Sequence, residues 1–146
     1  ECGRGQNDWR YTRYVWDCMK EFFRAGASVW TYWNTALDYP NISGWGWPQN
    51  ALTMVDPVTG AFELTNDYWL LRHFSAFVEP GARYIPTWSF MGYENQVAFQ
   101  NPDGSYIVVS QNDMSEPKPI VVRIGGEDLK AVLPADSFNT FRIPAA

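Results

Sequence analysis

The sequence predicts two parts, an α/β segment with the helix–strand–loop–helix order of a (β/α) barrel and then an antiparallel sandwich or barrel. Three observations carry this. Apolar residues recur at three- and four-residue intervals in two stretches of the first half. A run of β-branched and aromatic residues lies between those stretches. After Gly81 the pattern changes to short alternating runs separated by turn sequences.

The first helix is predicted over 8–24. Asn7 or Asp8 can accept from the orphan N–H groups of its first turn. Trp9, Thr12, Val15, Trp16, Met19, Phe22 and Phe23 form one face, and Ala25-Gly26 ends it. Residues 27–33, Ala-Ser-Val-Trp-Thr-Tyr-Trp, read as a strand covered on both faces, as parallel strands are. Residues 34–50 read as one long loop holding Pro40, Gly44, Gly46 and Pro48, a length that is often functional. A hairpin over 51–65 turns at Asp56-Pro57-Val58-Thr59-Gly60. Thr65-Asn66-Asp67 caps a second helix over 68–78, with Leu70, Leu71, Phe74, Phe77 and Val78 as its buried stripe. Glu79-Pro80-Gly81 stops it. Strands are then expected near 83–88, 95–100, 105–111, 118–124, 128–133 and 137–143, with turns such as Asn101-Pro102-Asp103-Gly104 and Gly125-Gly126.

Composition narrows the function. The 146 residues carry Lys+Arg 11 against Asp+Glu 16, a net charge of −5, with no basic cluster. That argues against nucleic acid as a partner, because backbone phosphates must be neutralised by Lys and Arg. No stretch approaches the ~20 apolar residues of a membrane span. At 46% hydrophobic and 18% charged, the chain can build a core. Aromatics make up 17% of it, and Trp30, Tyr32, Trp33, Trp45 and Trp47 crowd into one region. Any one ring could simply fill a core. A Gly-rich loop is a poor place to bury indoles, however, so some of these rings are expected to face a ligand such as a sugar ring.

One barrel strand and two barrel helices cannot close a barrel, so the first half is expected to belong to something larger. Four motifs point to what that is: Glu1-Cys2-Gly3 before the Asn-Asp-Trp helix start; Trp33-Asn34; Trp45-Gly46-Trp47-Pro48-Gln49-Asn50 followed by Val55-Asp56; and His73-Phe74-Ser75-Ala76-Phe77-Val78-Glu79-Pro80-Gly81-Ala82 followed by Asn101-Pro102-Asp103-Gly104-Ser105. In order and spacing they resemble the C-terminal third of glycoside hydrolase family 30, which includes glucosylceramidases, β-glucosidases, β-1,6-glucanases and xylanases.

The resemblance implies α/β plus β: residues 1–81 as the last part of a (β/α)₈ TIM barrel, and 82–146 as strands of an antiparallel β-sandwich. It implies a retaining β-glycosidase, acting on a β-linked carbohydrate or glycolipid through two carboxyl groups. The acid/base would lie upstream, in the missing N-terminal barrel region. Glu1 sits where the family's nucleophile ends the seventh strand. It is either that nucleophile or its neighbour, because relatives carrying Glu-x-Glu-Cys-Gly place the nucleophile two residues earlier. Trp33 matches a Trp at the mouth of the eighth strand, a flat floor for a sugar, and Asn50 a substrate-binding Asn ending the next loop. Trp45 and Trp47 would form a subsite wall. The isolated 146 residues are expected to be inactive, and a secreted or periplasmic location is expected of the whole protein.

No cofactor or metal is expected. The single His73 lies mid-helix and reads as structural, and the Asp56–Gly60 turn lacks calcium-ligand spacing. Cys2 and Cys18 would be separated by roughly 15 Å along the returning helix, too far for a disulfide. The competing reading is a non-catalytic carbohydrate-binding or structural β-sandwich module. It would gain weight if Tyr84, Trp88, Phe90 and Tyr93 formed a flat exposed strip.

Overall fold

The computed structural model describes residues 7–145. They form two compact units that divide between Ser75 and Ala76.

The first unit opens with helix α1 (Trp9–Arg24). Asp8 is its cap, accepting from the Tyr11 N–H at 2.8 Å. Thr12, Val15, Trp16 and Met19 are buried, the i, i+3, i+4, i+7 spacing of a single stripe. Phe22, expected on that stripe, is instead exposed and meets Trp30 edge to face at 5.6 Å. The helix ends as predicted: Gly26 takes φ +94, and the Ala27 N–H closes on the Phe22 carbonyl at 2.9 Å.

The predicted strand over 27–33 does not form. These residues pair with no strand among the described residues, and Val29 is 74% exposed. The reason is physical: a strand covered on both faces needs neighbours at both edges for its N–H and C=O groups. The long loop is also corrected, because it contains a short strand, β1 (Ala36–Asp38). This pairs in parallel with β2 (Thr53–Val55), which pairs antiparallel with β3 (Phe62–Leu64). The β2–β3 turn is the predicted one, with Asp56 Oδ1 accepting from the Val58 and Thr59 N–H groups. Those donors hold the Asp56 carboxyl below its usual pKa.

Helix α2 (Asn66–Ser75) follows, capped by Thr65 and shorter than predicted. Its buried apolar residues are Leu70 and Phe74. Phe77 and Val78 lie beyond its end, with Phe77 39% exposed. Phe74 packs on Trp16 and Phe23, with ring centroids 6.0 and 5.5 Å apart, which joins the two helices. Cys18 is a free, half-buried thiol, whereas Cys2 lies outside the described residues.

The second unit is antiparallel throughout. Strands β4 (Arg83–Ile85), β5 (Gln96–Gln100), β6 (Tyr106–Asn112) and β9 (Ser137–Ile143) form one sheet in the order β4-β5-β6-β9. A second, two-stranded sheet pairs β7 (Lys118–Ile124) with β8 (Glu127–Leu133). Central β6 is buried at Ile107 to Asn112 without alternation, the mark of a strand covered on both faces. In β7 the half-buried residues alternate with exposed Pro119, Val121 and Arg123, so only one face is covered.

Two buried amides organise the sandwich. Asn101 Oδ1 accepts the Glu79 N–H at 3.0 Å, and its Nδ2 donates to the Phe77 carbonyl at 2.9 Å. Asn112 Nδ2 donates to the Glu116 and Pro134 carbonyls, both at 2.8 Å, and its Oδ1 accepts the Met114 N–H at 3.1 Å. Buried Ser105 and exposed Arg142 both bond the Asp103 carboxylate and hold its pKa down.

Candidate functional site

The aromatic loop is built from the backbone outward. Asn41, at φ +57, donates from Nδ2 to the Gln49 carbonyl, and the Gln49 N–H returns to the Asn41 carbonyl. Inside this bracket the Ser43 N–H bonds the Trp47 carbonyl and the Gly46 N–H bonds the Ser43 carbonyl, each at 2.9 Å. Gly46 reaches φ +84 there, a value that favours glycine. The tight turn puts Trp45 and Trp47 side by side, with centroids 5.5 Å apart and planes inclined by 19°. They remain 73% and 50% exposed. An apolar stack held in solvent on a braced turn can take the face of another flat apolar group.

The loop is fastened beside Trp33. Asn34 Nδ2 donates to Gln49 Oε1 and to the Asn50 carbonyl, both at 3.2 Å. The Leu52 and Thr53 N–H groups bond the Asn34 and Thr35 carbonyls. Trp33 itself is 62% exposed, so it does not fill the core of this unit. Asn50 differs. It is fully buried, and its Oδ1 accepts the Asn7 N–H at 2.9 Å. In this geometry that oxygen braces the loop. Glu1 lies outside the described residues.

Sequence reasoning missed a buried carboxyl group. Asp67, read only as part of a helix cap, is fully buried and accepts the hydroxyls of Thr12 and Tyr32. It thereby joins α2, α1 and the residue before Trp33. The one legible signal was its place among capping residues; its partners lie 55 and 35 positions away. Burial pushes the Asp67 pKa above the ordinary value, and the two hydroxyls pull part of the way back. A raised folded-state pKa gives stability that is fully present below the unfolded value near 3.9 and is lost as pH rises through the folded value. Asp67→Asn should abolish this dependence. In urea titrations at pH 4 and 7, the wild-type midpoint should fall with pH relative to the variant. Parallel midpoints would contradict it.

Other expectations can be placed directly. His73 is half-buried in the last turn of α2, where burial and neighbouring Arg72 lower its pKa. Among the described residues, no three His, Cys, Asp or Glu side chains gather so as to hold a metal ion. No helix among them is long and apolar enough to cross a membrane. The flat strip of the competing reading is absent. Tyr84 packs edge-on against Phe99, Trp88 and Phe90 stand at 77° to each other, and Lys118 Nζ lies 3.3 Å from the Tyr93 ring centroid.

Fold and site therefore define an antiparallel β-sandwich preceded by an α/β unit with an exposed, braced group of indoles. Residues 81–141 match the glycosyl hydrolase family 30 beta sandwich domain. The match covers the sandwich half of the chain and, with the relatives below, supports a C-terminal region of glycoside hydrolase family 30. It is 29% identical over 84% of its length to endo-1,6-beta-D-glucanase neg1 of Aspergillus fumigatus, covering 26% of that protein. It is 32% identical over 77% of its length to the lysosomal acid glucosylceramidase of Mus musculus, covering 22%. In fold, 99% of the chain matches 34% of SrfJ from Salmonella typhimurium, with a TM-score of 0.89 at 24% identity. The chain spans about a quarter of the length of the curated relatives it matches.

Proposed function

We propose that this chain is the C-terminal region of a retaining β-glycosidase that cleaves β-glycosidic bonds, with a β-glucoside or glucolipid as substrate. Residues 1–81 would be the closing segment of a (β/α)₈ barrel, with 27–33 as its last strand, and residues 82–146 the sandwich. One carboxylate attacks the anomeric carbon while a second carboxyl group protonates the leaving oxygen. Water then hydrolyses the glycosyl–enzyme ester, the second group now acting as base. The acid/base lies upstream, and Glu1 is the nucleophile or its neighbour. Trp33, Trp45 and Trp47 supply apolar faces for sugar rings, while Asn50 shapes the loop from within. A secreted or periplasmic location goes with this reading.

The observation that carries it is the pairing of features in one chain. Trp33 and the Trp45–Trp47 stack stand in solvent on a braced loop, immediately upstream of a sandwich that matches this family. The run 27–33, which forms no strand among the described residues, fits as well, because a barrel would place a strand at each of its edges. The test uses the full-length protein on 4-nitrophenyl β-glucoside and a soluble β-1,6-glucan. Trp33→Ala should lower kcat/KM by roughly 30- to 150-fold, about 2–3 kcal/mol for losing a stacked indole. The 146 residues alone should show no turnover. Hydrolysis by the isolated chain, abolished by Glu1→Gln, would overturn the assignment of the acid/base and make Glu1 the nucleophile.

A further inference from the structure

The structure assigns Asn7 and Asn50 a joint role as positioning residues: a reciprocal clasp that sets the segment leading out of the proposed nucleophile against the aromatic loop. The inference rests on the glycosidase reading above and adds to it a part that no motif suggested.

The geometry is specific. The Asn7 N–H donates to Asn50 Oδ1 at 2.9 Å, and the Ala51 N–H donates to Asn7 Oδ1, also at 2.9 Å. The Asn50 side chain thus holds the Asn7 backbone across 43 residues, and the Asn7 side chain holds the backbone of Ala51, the next residue after Asn50, across 44. Asn50 is fully buried, so its half of the clasp is shielded from competing water. The backbone at Asn50 is held independently. Its carbonyl accepts from Asn34 Nδ2 at 3.2 Å and from the Asn34 N–H at 3.4 Å, next to Trp33. Asn7 does not cap α1, because Asp8 does. Asn7 stands at φ +50, a left-handed conformation that Asn tolerates better than most residues. A residue in an uncommon backbone conformation, bonded at both its N–H and its side chain to one distant loop, transmits the position of that loop to its own segment. Glu1 is six residues before Asn7 in the sequence. The clasp therefore ties the backbone six residues after Glu1 in sequence to the loop that Asn34, next to Trp33, also holds. Misplacement by about 1 Å at such a point is enough to cost roughly 10²-fold in rate.

The test uses the full-length enzyme with 4-nitrophenyl β-glucoside. Asn7→Gly keeps the left-handed backbone and removes only the acceptor. It should lower kcat about 10- to 100-fold with KM within about twofold. Asn7→Asp restores an acceptor for the Ala51 N–H and should recover kcat to within about threefold of wild type. A residue that only stabilises the fold would lower the melting temperature and leave the kcat of the folded enzyme unchanged. Wild-type kcat in folded Asn7→Gly overturns the clasp, and so does Asn7→Asp being as slow as Asn7→Gly. Should Asn7→Gly not fold, Asn7→Ser replaces it: its hydroxyl is too short to reach Ala51, so the same fall is expected and wild-type kcat overturns the proposal. Absence of turnover by the wild-type enzyme on any β-glycoside would sink the glycosidase reading and this inference with it, whereas an active wild type with unaffected variants sinks the clasp alone.

Discussion

Asn112→Asp should lower the stability of the sandwich by about 3–5 kcal/mol at pH 7, the range for a buried charge left without a partner. Asn112 is fully buried at the end of β6, and its Nδ2 faces the carbonyls of Glu116, Leu133 and Pro134. The substitution replaces that donor with a second acceptor and sets a carboxylate against three carbonyl oxygens. The loop after β6 and the corner after β8 would lose their common anchor. The introduced carboxyl group would have a raised folded-state pKa, because both burial and carbonyl dipoles disfavour its charge. The penalty should therefore be smallest below about pH 4, where the group is protonated in both states, and grow as pH rises through the folded value. Urea unfolding at pH 4 and 7, followed by circular dichroism, would check both points. A loss below about 1 kcal/mol at pH 7 would mean that the loop finds other donors.

Trp16→Ala should cost the first unit about 3–5 kcal/mol, as large-to-small changes at a sealed site do. Trp16 has no exposed surface and packs on Phe74, which also holds Phe23, so its loss opens a cavity where α1 meets α2. The neighbours cannot close that space, because Thr12 and Met19 are themselves buried in the same stripe. Hydrogen exchange read by mass spectrometry gives the local answer. Peptides from α1 and α2 should lose protection, while those from β5 and β6 keep theirs. Equal loss in both units would show that they unfold as one.

Much of the fold was legible because its signals are local. The α1 stripe, the Gly26 stop, the Asp56–Gly60 hairpin turn and all six sandwich strands follow from spacing and turn chemistry within a few residues. Strand β1 was not legible. Ala36-Leu37-Asp38 has no strand composition and is ordered by its parallel ladder to Thr53-Met54-Val55. The run 27–33 failed in the opposite sense. It has strong strand propensity, yet a strand exists only when another edge accepts its hydrogen bonds.

The candidate site divides in the same way. Clustering singled out Trp30, Tyr32, Trp33, Trp45 and Trp47 together, the family resemblance picked Trp33 from among them, and a Gly-rich loop was reason enough to expect Trp45 and Trp47 in solvent. By itself, then, the sequence determined the helical stripes, the turns, the switch to antiparallel strands at Gly81 and the aromatic character of the loop, because each depends on neighbours within about one or two turns of chain. Only the tertiary structure decided that Asn50 points inward to Asn7, that Asp67 is sealed between Thr12 and Tyr32, and that Asn112 anchors two distant corners. A polar side chain has the same composition signal whether it faces water, a ligand or a remote backbone group. Its role is set by which donors and acceptors folding brings within about 3 Å of it.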